Sequence, residues 1–141
     1  EMGLGKTLQS IALFHTMLTR GPYGKPMIKK AVIVTNSSLV GNWKNEVRKW
    51  LTDARCKPLM VTAKSAKQDP EEVINSFRTG FHPLLIISYG LAMKFANLIN
   101  KAKPGLLICD EGHKLKNNEI KVVKALKNIT TPRRFILTGT P

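Results

Sequence analysis

Cysteine is scarce. Only Cys56 and Cys109 occur, and neither belongs to a Cys-x-x-Cys pair or a recurring Cys/His metal pattern. A disulfide framework and a structural zinc site are therefore excluded, and a reducing, intracellular setting is the expectation. Long apolar runs are missing too. The longest, such as those at 84–87 and 106–109, fall far short of the ~20 residues that a membrane-spanning helix needs, so no membrane partner is expected. Acidic residues are few, 9 against 23 Lys+Arg, and the formal net charge is +14. The excess is present in both halves of the chain and is not a tail. A basic globular body suits a polyanion such as nucleic acid, whose backbone binding is driven by counterion release. A basic surface that serves only solubility has the same composition. The chain has 141 residues, of which 43% are hydrophobic, which fits about one folded domain.

Five short aliphatic runs stand out, at 31–35 (AVIVT), 59–62 (LMVT), 84–88 (LLIIS), 106–110 (LLICD) and 135–138 (FILT). None alternates with polar residues, as expected for strands buried on both faces of a parallel sheet. Segments with helical spacing lie between them. One spans 7–18; in the next, Leu39, Trp43, Val47, Trp50 and Leu51 share a stripe. That stripe favours both tryptophans as core packing over base-stacking platforms. Asp69, Pro70 and Glu72 form a helix start, with Asp at the cap, Pro at the first position and Glu at the third. Residues 91–99 and 118–126 complete the alternation, and 21–26 (GPYGKP) read as a turn. The fold class is α/β, with a mainly parallel sheet and helices on both faces.

Three motifs carry chemistry. Gly3-Leu4-Gly5-Lys6-Thr7 has the makings of a phosphate loop. Its glycines let backbone N–H groups wrap phosphates ahead of a helix N-terminus. Lys6 would reach the β/γ-phosphates and the Thr7 hydroxyl would meet Mg²⁺. The second motif is an apolar strand ending in Asp110-Glu111, followed by Gly112-His113. It sets two carboxylates at the carboxyl edge of a parallel sheet, where ligands of open α/β sheets bind. There Asp110 would hold Mg²⁺ through water and Glu111 would polarise the attacking water. The third is Thr138-Gly139-Thr140, a strand ending in small hydroxyl residues beside Gly; it would bond to the Asp110/Glu111 edge and sense phosphate release, although read alone it is a polar turn. A phosphate loop needs a strand before it. The reading is therefore of part of a lobe, truncated at both ends, over residues 1–141, with the first strand missing.

MGLGKT, DEGHKLKN and LTGTP, in this order, resemble motifs I, II and III of superfamily-two helicases. More narrowly, they resemble the SWI/SNF-type DNA-dependent ATPases. The resemblance implies a three-layer RecA-like ATP-binding lobe, with ATP and Mg²⁺ as cofactors. Gly3, Leu4, Gly5, Lys6, Thr7 and Leu8 would line the nucleotide; Lys6, Asp110 and Glu111 would be catalytic, and Thr7 and Asp110 would meet the metal. His113, Thr138, Gly139 and Thr140 would couple hydrolysis to motion. By the same resemblance Thr35, Asn36, Ser37, Ser38, Ser88 and Tyr89 would lie against nucleic acid. Serine hydroxyls suit phosphate contacts that read no bases, although Ser37 or Ser38 would serve equally as a helix cap, and Tyr89 as packing. Asn36 stands where the family more often has Pro, and Lys114 where it more often has Arg. The implied partners are double-stranded DNA, a second RecA-like lobe of the same protein, and a recombinase filament or chromatin. The implied location is the nucleus. A DExH-type RNA helicase lobe and a noncatalytic DNA-binding module are the alternatives.

Overall fold

The computed structural model describes residues 2–19, 28–50, 59–61, 69–80, 82–110, 124, 126–131 and 133–137, with backbone only for 2–7, 19, 59–61 and 136. In chain order the elements are α1 (Met2–Thr19), β1 (Ala31–Thr35), a 3₁₀ turn (Ser37–Leu39), α2 (Val40–Trp50), β2 (Leu59–Val61), α3 (Pro70–Thr79), β3 (Leu84–Ser88), α4 (Tyr89–Lys94), α5 (Ala96–Lys101), β4 (Leu106–Asp110) and β5 (Arg134–Leu137). All five expected strands are present. They form one sheet in the order β2-β3-β1-β4-β5, and every pairing is parallel.

The sheet is sandwiched because its strands are apolar on both sides. Alternate residues of a strand face opposite ways. Val32, Val34, Leu85, Ile87 and Leu107 pack with Val73, Ile74 and Phe77 of α3 and with Ala92, Ala96 and Ile99 of α4 and α5. Ala31, Ile33, Leu84, Ile86, Leu106 and Ile108 pack with Ile11, Phe14 and Met17 of α1 and with Val40, Trp43 and Val47 of α2. This is a three-layer α/β/α arrangement. Among the described residues no helix is long and apolar enough to cross a membrane.

Local chemistry sets the ends of the elements. Asp69 caps α3, its carboxylate accepting from the Glu71 N–H at 3.1 Å, with Pro70 opening the helix. The other end of α3 is closed by Lys30. Its ammonium donates to the carbonyls of Phe77 (2.5 Å), Gly80 (2.9 Å) and His82 (3.3 Å) and lies over the Phe77 ring. Burial lowers the Lys30 pKa below the ordinary lysine range, while the three carbonyls favour its charged form. Before β4 the chain turns through Gly105, where an added Cβ would lie 2.5 Å from a methyl carbon of Ile28. Only glycine fits that approach.

Four expectations need correcting. Residues 91–99 are not one helix: the chain breaks at Phe95, whose φ of −112° and ψ of 25° are not helical. Trp43 is core at 3% exposure, but Trp50 is 49% exposed, bonded within its own turn to Glu46 and stacked by Lys49. It ends α2, beyond the cover that its stripe implies. Strand β5 is not buried on both faces, since Phe135 is 42% exposed. Among the described strands β5 lies at an edge of the sheet, and of its side chains Leu137 still packs against the core while Phe135 is left largely open. Finally, the backbone of residues 3–7 is helical within α1, where a loop was expected. Glycine in a helix interior costs about 1 kcal/mol relative to Ala, so these turns are weakly held by propensity. The turn at 21–26 and most of the expected helix at 118–126 lie outside the described residues.

Replacing Lys30 with Met strands three carbonyls and is expected to cost about 1–3 kcal/mol in chemical denaturation. Phe77→Ala is expected to cost about 3–5 kcal/mol, and Trp50→Ala about 0.5 kcal/mol or less. A large loss at Trp50 would contradict its placement at the surface.

Candidate active site

Parallel pairing brings the carboxyl ends of the strands to one edge. Thr35 is in register with Ser88 on one side of β1, and Val34 with Cys109 on the other. Thr35 therefore ends next to Asp110. Asp110 is in turn in register with Leu137, which leads directly into residues 138–140. By alternation Thr35 and Asp110 project to the face covered by α1 and α2.

Three side chains from three elements converge on Asp110. The Thr35 hydroxyl donates to its carboxylate Oδ2 at 3.2 Å, and the Trp43 indole N–H donates to the same oxygen at 3.0 Å. The Tyr89 hydroxyl donates to the Asp110 backbone carbonyl at 2.6 Å. Thr35 is wholly buried, and Trp43 and Tyr89 nearly so. Asp110 itself is half-buried at the rim. Buried tryptophan and tyrosine need a partner for their polar tips, and here both tips are spent on the same residue. Hydrogen bonds to an ionised carboxylate are stronger than neutral ones. Asp110 is therefore held in one orientation, with every side-chain bond from the described residues falling on Oδ2.

The donor set fits Mg²⁺. That ion usually takes one or two protein carboxylates and completes its shell with water and phosphate oxygens. Among the described residues there is no cluster of three or more His, Cys, Asp or Glu that would make an all-protein cage. Asp110 offers one anchored carboxylate, the hard oxygen donor such an ion takes. Helix α1 packs on the same face through Ile11, Phe14 and Met17.

The expected nucleic-acid residues separate into two groups. Ser37 and Ser38 are exposed and Asn36 is half-buried. The Asn36 side chain makes no cap bond, and the turn is closed by the backbone, Leu39 N–H to Asn36 carbonyl at 2.9 Å. Among the described residues neither serine caps the helix, which favours hydroxyls that face outward. Thr35, Ser88 and Tyr89, by contrast, are buried. The hydroxyls of Thr35 and Tyr89 are turned to Asp110, so their side chains are not at a surface. Leu8 is on α1 and 39% exposed. The side chains of Gly3, Leu4, Gly5, Lys6 and Thr7, and all of Glu111, His113, Thr138, Gly139 and Thr140, lie outside the described residues. Trp43 was missed as a site residue. Its place on the apolar stripe signalled burial, and nothing local signalled that its N–H would meet a carboxylate 67 positions away.

Comparison with known proteins gives a consistent picture. The family model of the SNF2-related domain matches residues 1–141. DNA repair and recombination protein RAD54B of Mus musculus is 50% identical over all of this chain, which covers 15% of that protein. DNA repair and recombination protein RAD54-like of Gallus gallus is 46% identical, again over the whole chain and 20% of the relative. DNA repair protein rhp54 of Schizosaccharomyces pombe is 44% identical, with 17% of it covered. The chain thus spans a fifth or less of these relatives. Among solved structures, the Sulfolobus solfataricus SWI2/SNF2 ATPase core in complex with dsDNA superposes with a TM-score of 0.71 at 23% identity, over 100% of this chain and 26% of that one. The UvsW helicase from bacteriophage T4 does so at 0.62 and 16% identity, over 96% and 43%. These likenesses establish the RecA-like α/β fold. The family match over every residue carries the assignment further: this chain belongs to the SNF2-related domain family.

Proposed function

We propose that this chain is the ATP-binding, N-terminal RecA-like lobe of a DNA-dependent ATPase that translocates on double-stranded DNA in homologous recombination and repair. The observation that supports it most is the anchored Asp110 carboxylate at the carboxyl edge of a parallel sheet, on the face against which α1 packs. Membership of the SNF2-related family and the recombination-protein relatives favour this over an RNA helicase lobe. The repair and recombination names of these relatives support a nuclear location and a partner in recombination, which in this reading is a recombinase filament or chromatin.

Phosphoryl transfer to water is largely a matter of positioning and charge. Lys6 neutralises the β/γ-phosphates. Thr7 and Asp110 would hold Mg²⁺, which would supply positive charge to offset that developing on the phosphates. Glu111 orients the attacking water and accepts its proton. The site is completed by an arginine of a second lobe. His113, Thr138, Gly139 and Thr140 relay phosphate release. On the DNA side, Asn36, Ser37 and Ser38 present polar groups to backbone phosphates without reading bases, and the exposed Lys124 and Lys127 add nonspecific attraction.

Lys6→Ala and Asp110→Asn in the full-length protein are each expected to lower DNA-stimulated ATP hydrolysis by a factor of about 100 or more. Duplex DNA should stimulate the wild type and RNA should not; the reverse would indicate the RNA helicase reading. This lobe alone should turn over almost no ATP. Asp110→Asn keeps an acceptor for the buried Trp43 N–H. Asp110→Ala removes it and is expected to be less stable than the Asn variant by about 1–3 kcal/mol in thermal or denaturant unfolding. Replacing Lys124 and Lys127 by Ala should flatten the plot of log affinity for duplex DNA against log salt, by about 0.9 for each phosphate no longer neutralised. An unchanged slope would remove them from the DNA surface.

A further inference from the structure

The segment proposed to touch DNA and the carboxylate proposed to hold Mg²⁺ are joined by two short links. The Ser37–Leu39 turn is flanked by Thr35 on its amino side and by Trp43, one turn into α2, on its carboxyl side. Both flanking side chains end on the same atom, Asp110 Oδ2. Both are buried, so neither bond is exchanged with bulk water at low cost. Thr35 belongs to the sheet and Trp43 to the helix that follows the turn, so shifting the turn and α2 relative to the sheet bends, lengthens or breaks the Trp43 bond, and the Thr35 bond resists rotation of the carboxylate. Tyr89 fixes the Asp110 backbone from the opposite layer, so strain is delivered to the carboxylate and not dissipated by moving β4.

From this geometry we infer that Thr35 and Trp43 are positioning residues that couple the Ser37–Leu39 turn to the Asp110 carboxylate. They make duplex binding at the turn and Mg²⁺-nucleotide binding at the sheet edge energetically dependent on each other. The inference rests on the nucleotide and DNA reading above. It adds a physical path to that reading and assigns two residues as its parts. Both side chains are buried and bonded to Asp110. Thr35 acts through a hydroxyl and Trp43 through an indole N–H, and each acts only through Asp110.

Coupling of this kind is reciprocal: DNA alters Mg²⁺-nucleotide affinity by the same factor that Mg²⁺-nucleotide alters DNA affinity. The test is equilibrium binding in the full-length protein. A fluorescent, non-hydrolysable ATP analogue is titrated with Mg²⁺, with and without a short DNA duplex. Duplex affinity is measured with and without the analogue and Mg²⁺. The wild type should show coupling of the usual size, roughly 5–150-fold. Thr35→Val, which keeps the shape and loses the hydroxyl, and Trp43→Phe, which keeps a ring and loses the N–H, should both reduce it to about 2-fold or less. Thr35→Ser should restore it. Val47→Ala opens a void in the same helix without touching Asp110, and should keep the wild-type coupling while losing stability. Full coupling in Thr35→Val and Trp43→Phe, or equal loss in Val47→Ala, would overturn the inference. Absence of coupling in the wild type would do the same and leave the ATPase reading standing, provided Lys6→Ala and Asp110→Asn abolish hydrolysis. If those two variants hydrolyse ATP normally, the underlying reading fails instead, and this inference with it.

Discussion

The parallel register of β1 against β4 is the constraint on which the rest of the molecule depends. Parallel strands must all end on the same side, and burial on both faces forces their sequences to be aliphatic to the last position before the edge. In β1, β3 and β4 the polar residues stand at the carboxyl ends, Thr35, Ser88 and Asp110, each after a run of buried apolar residues. A slip of one residue would turn Thr35 and Asp110 to the opposite layer and drive their neighbours out of the core. The packing that holds the sheet together is thus the same packing that aligns the polar edge.

At that edge the balance of terms is electrostatic. An ionised carboxylate at the rim of an apolar core is costly unless it is hydrogen-bonded. Asp110 meets this requirement with two donors on Oδ2. Trp43 has the converse need, a buried N–H that requires an acceptor. Each side satisfies the other, and what results is stiff: the bulk of the indole is locked among Val40, Val47 and the sheet, so its N–H cannot follow the carboxylate if the latter rotates. A lysine or serine donor in its place would be more compliant. Orientation of the carboxylate is therefore set by core packing, which explains why a residue that belongs to the core in every other respect is also part of the site.

The fold was legible in the sequence to the extent that burial alone specifies it. Runs such as AVIVT and LLIIS admit little besides central parallel strands, and Asp69-Pro70 could open only a helix. Features set by the order of elements in space were not legible. FILT reads like the other strands, yet the sheet order puts it at an edge with Phe135 exposed. Trp43 and Trp50 share a helical stripe, but a stripe specifies a face and not where along the axis the cover stops. The break at Phe95 has no glycine or proline to mark it. The motifs located Asp110 correctly at the end of a central strand. They could not show that Thr35, assigned to DNA by resemblance, spends its hydroxyl on a carboxylate 75 positions later, because that bond exists only through strand register.

The same distinction changes what the net charge of +14 means. Counting cations treats each as available to a polyanion, but several are already engaged. Lys30 is turned inward onto the carboxyl end of α3. The Arg134 guanidinium donates to the carbonyls of Leu126 and Ile129, closing the segment ahead of β5. Lys49 and Lys94 lie against the rings of Trp50 and Phe95. The first two contribute long-range potential but have few donors left for a phosphate, and counterion release depends on phosphates neutralised, not on formal charge. The DNA surface proposed for this chain is therefore smaller than the composition suggests. In that proposal its placement comes from a few outward polar groups, with Ser37 and Ser38 foremost, set beside an edge whose geometry the core already dictates.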